Sequence, residues 1–183
     1  RLGSVGLKPS DLTITEYPDF GQGVAVQAGA VDAATGFANN EPVQLELSGS
    51  KAVVLHVDDV VALPGPGLIT GTATLDRKRD AVAAFVEATL RAMTEIAADP
   101  SLGLNAAIKA VPELGKDEAT RKTQEAILAA TIATWSPVDG GGTFGAIDAQ
   151  GWKDSITYLT ELGLVPNPVT VDQLVQRDLL PQG

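Results

Sequence analysis

One change of pattern governs what this chain can fold into. Up to Thr74, short strand-like stretches alternate with short helices, and beyond it only helical periodicity remains. Leu12-Thr13-Ile14-Thr15-Glu16-Tyr17 alternates apolar and polar residues, the mark of a half-exposed strand. Asp19-Phe20-Gly21-Gln22 fits an acidic N-cap with Gln three residues later, predicting a short helix to about Gln27 that ends near Gly29. Val31 to Phe37 is predicted as a second strand. Asn39-Asn40-Glu41-Pro42 then supplies a cap and a proline for the first helical position, with the helix continuing to Leu47 and closing at Gly49. Ala52 to Val57 is predicted as a third, largely buried strand, and Leu68 to Thr74 as a fourth after a Pro/Gly-rich loop. From Asp76 a long helix is predicted to about Ala98, with Val82, Phe85, Val86, Leu90, Met93 and Ile96 on one face. Asp99-Pro100 breaks it. Helices follow over 102–109 and 117–135, the second with Ile127, Leu128, Thr131 and Trp135 inward, then one opened by Asp148 and ended by Gly163, and a last short one from Val171 to Asp178. The order is βαβαββ followed by helices, an α/β class, with no internal repeat.

Charge and composition remove several functions. The 23 acidic against 13 basic residues give a formal net charge of −10, which opposes binding to nucleic acid phosphates or anionic lipid. With no cysteine, disulfides, thiolate metal sites and cysteine nucleophiles are excluded. The single histidine, His56, falls inside an apolar stretch, so neither a metal site nor a histidine general base is predicted, and no cofactor is expected. Hydrophobic residues at 44% suffice for a core, filled mostly by aliphatic side chains because aromatics are only 4%. No apolar run approaches the ~20 residues that span a bilayer. The chain opens Arg1-Leu2-Gly3 without Met or a signal peptide, so it is expected to begin inside a longer protein.

In open α/β sheets, ligands sit beyond the carboxyl ends of strands, beside helix N-termini whose N–H groups bind acceptor atoms. Two such turns occur here, Tyr17 to Gln22 and Gly36 to Pro42. At the second, Asn39, Asn40 and Glu41 carry more polar groups than one helix cap uses, so they are read either as ligand contacts or as capping residues. Glu41 suits the N–H edge of a heterocycle. At the first, Gln22 pairs with Asp19 as a cap or contacts ligand. Tyr17, Phe20 and Phe37 stack on a planar ligand or join the core. Gly36 relieves a tight turn or lets a ligand approach the backbone.

The run Gln27-Ala28-Gly29-Ala30-Val31-Asp32-Ala33-Ala34-Thr35-Gly36-Phe37-Ala38-Asn39-Asn40-Glu41-Pro42 resembles the second lobe of the nitrate/taurine/sulfonate family of ABC-importer binding proteins. The similarity is to its branch for thiamine pyrimidine precursors and riboflavin. Gly67-Leu68-Ile69-Thr70 resembles the strand that returns to the first lobe. The helix from Ala81 to Ala98 with Asp99-Pro100, the Trp135 region, Trp152 and Asp178-Leu179-Leu180-Pro181 resemble the closing helices. The resemblance implies a type II periplasmic-binding-protein-like fold, with lobe two over residues 1–70 and the crossover strand and lobe-one helices over 71–183. The family's N-terminal lobe-one segment is absent from this sequence. The ligand is then a small nitrogen heterocycle held in an interlobe cleft by Tyr17, Phe20, Gln22, Gly36, Asn39, Asn40 and Glu41. The implied partners are that N-terminal segment and an ABC permease, and the implied location is extracytoplasmic.

Three other functions compete. Sulfonates or nitrate would want Arg, Lys or backbone donors, whereas these turns offer Asn, Gln and Glu. A pyrimidine-forming enzyme of the same fold would need histidine and a Cys-rich motif. A regulator's effector domain would need a helix-turn-helix, and none is present. A binding protein rather than an enzyme is the expectation.

Overall fold

The computed structural model describes residues 2–18, 21–61, 63–135, 144–167 and 169–180. The chain divides into two compact units, Arg1–His56 with Pro100–Trp135, and Val57–Asp99 with Ser136–Gly183.

In the first unit, α1 (Gln22–Gln27) packs on α2 (Glu41–Leu47), α2 on α5 (Glu118–Trp135), and α5 on α4 (Pro100–Ala110). Single-turn 3-10 helices cover Leu2–Val5, Pro9–Asp11 and Pro112–Gly115. The short helices stop where the sequence predicts. Gly29 takes φ 66° after α1 and Gly49 takes φ 78° after α2. Each is followed by an amide that bonds back across the last turn, Ala30 N to Ala25 O and Ser50 N to Leu45 O, both at 2.9 Å. Ala25, Leu45 and Leu104 are the buried apolar residues of this unit among the described residues. The predicted inward face of α5, Ile127, Leu128, Thr131 and Trp135, is half-buried.

In the second unit, α3 (Thr72–Ala98) packs on a 3-10 turn at Arg177–Leu179, and α6 (Ala149–Glu161) on α7 (Val171–Leu174). Leu75 is buried, and Val82, Val86, Leu90, Met93 and Ile96 form a half-buried stripe. Phe85, expected on that face, is 61% exposed. The backbone of α3 is interrupted at Lys78 (φ −136°, ψ 33°), leaving a first helical turn before the long straight run. Arg79, next to the interruption, pairs with Asp178. Asp148 caps α6 by accepting from Gln150 N and Gly151 N at 3.0 Å each. Gly163 (φ 72°) ends α6, with Leu164 N bonding to Leu159 O.

Helices dominate the described residues, and none there is long and apolar enough to cross a membrane. No strand is formed among them, so the four stretches read as strands lack ladder partners. Thr72–Thr74, expected to end the fourth strand, are the first turn of α3: Thr74 N and Leu75 N both bond to Gly71 O. The third stretch, expected to be buried, is open to solvent, with Val53 87% and Leu55 64% exposed. The physical reason is that a strand satisfies its backbone only through a neighbour, and no two of these stretches pair.

Candidate functional site

The turn between residues 36 and 41 collects four of the seven residues singled out in the sequence. Its centre is Glu41, the first residue of α2, with only 8% of its surface exposed. Its carboxylate reaches back over the turn. Oε2 accepts from Phe37 N at 2.7 Å, and Oε1 accepts from Gln22 Nε2 at 3.0 Å. One side chain therefore ties the turn to its own helix and to the first residue of α1. A carboxylate buried this far is stabilised only when its oxygens are hydrogen-bonded, and these are.

Glycine makes the approach possible. A Cβ on Gly36 would lie 2.7 Å from Glu41 Oε2, and one on Gly23 would lie 3.4 Å from Glu41 Cγ. Gly36 is thus required by a side chain of the same turn. Gly23, Val24, Gln27, Glu41, Gln44 and Leu45 line a recess of about 40 Å³ between α1 and α2. That volume suits water and is far below the ~300 Å³ at which heterocycle pockets begin.

The two asparagines behave differently. Asn39 Nδ2 donates to Thr131 Oγ1 on α5 at 2.8 Å, and Thr131 Oγ1 donates to Ile127 O at 2.7 Å. The turn is thereby anchored to a helix 92 positions away in sequence. Asn40 Oδ1 accepts from Gln44 Nε2 at 2.8 Å. It stands at the N-cap position of α2, yet its side chain makes no capping bond to the helix backbone, so the expected asparagine cap is not formed. Phe37 is 55% exposed and Tyr17 37% exposed, so neither joins the core. Asp19 and Phe20 lie outside the described residues.

The structure therefore brings together Gln22, Gly36 and Glu41 through direct contacts, with Asn39 and Asn40 in the same turn. Thr131 was read from sequence only as an inward position of α5, and no local signal links it to Asn39. No group of three or more metal-ligating side chains occurs among the described residues.

Residues 2–102, more than half of the chain, match the family described as NMT1/THI5 like. The chain belongs to the NMT1/THI5-like family. That membership is consistent with the periplasmic-binding-protein-like fold that the resemblance implied. Among curated relatives, the chain is similar to a riboflavin-binding protein, RibY, of Chloroflexus aurantiacus, with 28% identity over 179 residues. The match covers 97% of this chain and 50% of that protein, so the chain spans about half the length of the curated relative. No solved structure matches.

Proposed function

We propose that the full-length protein is the solute-binding component of an ABC importer and captures a small nitrogen heterocycle, a riboflavin-like flavin or a pyrimidine thiamine precursor. It delivers that solute to a membrane permease from outside the cytoplasm and performs no covalent chemistry. The observation that carries the reading is the similarity along 97% of the chain to a riboflavin-binding protein. The chemistry of the turn supports it. Phe37 and Tyr17 offer partly exposed aromatic faces for stacking on a planar ring, and the Asn40 amide follows Phe37 in the same turn as a neutral polar group. Gly36, Asn39, Asn40 and Glu41 form the binding turn in this reading, with Tyr17, Phe20 and Gln22 from the preceding one.

The reading extends to architecture. Residues 1–70 belong to lobe two and residues 71–183 to the crossover and the helices of lobe one, in an α/β fold. The extended stretches gain their ladder partners from further chain, of which the relative has about as much again.

The test is calorimetric titration of the purified full-length protein with riboflavin, a pyrimidine precursor and taurine, each separately. Saturable binding of riboflavin or the pyrimidine at micromolar or tighter Kd, with none of taurine, is expected. Binding of taurine alone, or of none of the three, refutes the proposal.

A further inference from the structure

We infer that Glu41 is a positioning residue: it makes no contact with the solute and instead fixes the turn that does. This rests on the binding role proposed above. Glu41 is 8% exposed and both carboxylate oxygens are committed inside the unit, one to Gln22 Nε2 and one to Phe37 N. Gly36 closes over the carboxylate so tightly that a Cβ there would meet both Oε2 and Cδ, at 2.7 and 2.9 Å. A solute arriving at the turn meets Phe37, 55% exposed, while the carboxylate stays beneath. A second strut, Asn39 to Thr131, holds the same turn from α5. Two independent tethers on so short a turn make it a preformed surface, which lowers the ordering cost of binding.

The geometry separates holding from touching. Holding needs an acceptor for Phe37 N and a hydrogen-bonded pair with position 22, but no negative charge at position 41. Glu41→Gln keeps both. The amide oxygen at position 41 still accepts from Phe37 N, and its NH₂ donates to the side-chain oxygen of Gln22 once that amide turns over.

The experiment uses the full-length protein, with riboflavin titration and amide hydrogen exchange at Phe37 measured without ligand. Glu41→Ala is expected to weaken binding about tenfold and to speed exchange at Phe37. Glu41→Gln is expected to keep slow exchange and to bind within about threefold of the parent. If Glu41→Gln keeps slow exchange at Phe37 but loses binding, the carboxylate itself touches the ligand and the inference is overturned. Parent-like binding by Glu41→Ala overturns it as well. A parent protein that binds no heterocycle strikes the proposed function instead. In that case faster Phe37 exchange in Glu41→Ala, absent in Glu41→Gln, still supports the clamp on the turn.

Discussion

At position 36 a single hydrogen in place of a methyl group decides whether the turn closes. The atom nearest to a methyl carbon placed there is Glu41 Oε2, at 2.7 Å, and that oxygen cannot swing aside without releasing Phe37 N. Gly36→Ala is therefore expected to destabilise the protein by about 1–3 kcal/mol, the range for breaking a bond to a buried charged group. In a Glu41→Ala background the obstructing atoms are gone, and the same glycine substitution is expected to cost less than about 0.5 kcal/mol. Denaturant unfolding of the four proteins closes this cycle, and additive costs would show that the clash does not govern the site. Thr131 gives a second prediction of the same kind. Thr131→Val keeps the shape but leaves Asn39 Nδ2 without its acceptor, and a loss of about 1 kcal/mol is expected by the same measurement. Of these contacts, the sequence marked Gly36 and Glu41 at one turn but separately, the glycine for the turn and the glutamate as a polar group, with no link between them. The Asn39–Thr131 bond was invisible because it joins residues 92 apart.

The helices were the readable elements, because what starts and stops a helix acts within four residues. Asp148 capping α6, Gly163 ending it and Gly49 ending α2 all stand where the pattern put them. The same local physics sets a pH response at α5. Asp117, just before that helix, accepts from Thr120 N at 2.7 Å. This bond, with a second from the Thr120 side chain, holds its carboxyl below the usual 3.8. A carboxyl with a lowered folded-state pKa stabilises the fold fully above its unfolded value. That contribution is lost as pH falls through the folded value, so the window opens near pH 4 and extends downward. Asp117→Asn keeps a capping oxygen and removes the titration. The variant is expected to melt below the parent by roughly 1–3 °C at pH 7 and to approach it at pH 3. A gap in melting temperature that stays constant between those pH values would contradict the assignment. The strand-like stretches were not readable in this way. Alternation in Leu12 to Tyr17 reports only that two faces differ, and whether a stretch becomes a strand depends on a partner that alternation does not name.

For the molecule as a whole, the consequence lies in those same stretches. Residues 51–56 and 68–71 form neither helix, turn nor strand, and Val53, Leu55, Leu68 and Ile69 are 60–97% exposed. Burying such side chains is worth about 1.5–3 kcal/mol each, and a backbone that forms no ladder beside them offers donors and acceptors to any strand that docks. In a protein about twice this length, as the riboflavin-binding relative is, a neighbouring strand satisfies both demands at once. Hydrogen exchange distinguishes the two situations segment by segment. In the 183-residue chain, the amides of residues 51–55 and 68–71 are expected to exchange as fast as an open loop. In the full-length protein they are expected to slow by a hundredfold or more, since sheet amides open only in larger unfolding events, at a cost of several kcal/mol. Riboflavin affinity is expected to follow the same order, at least about tenfold tighter in the full-length protein, because the binding turn is then carried on a completed sheet. Fast exchange at residues 51–55 in the full-length protein would show that these stretches are loops in their own right, and the α/β reading of the first 75 residues would fall with it.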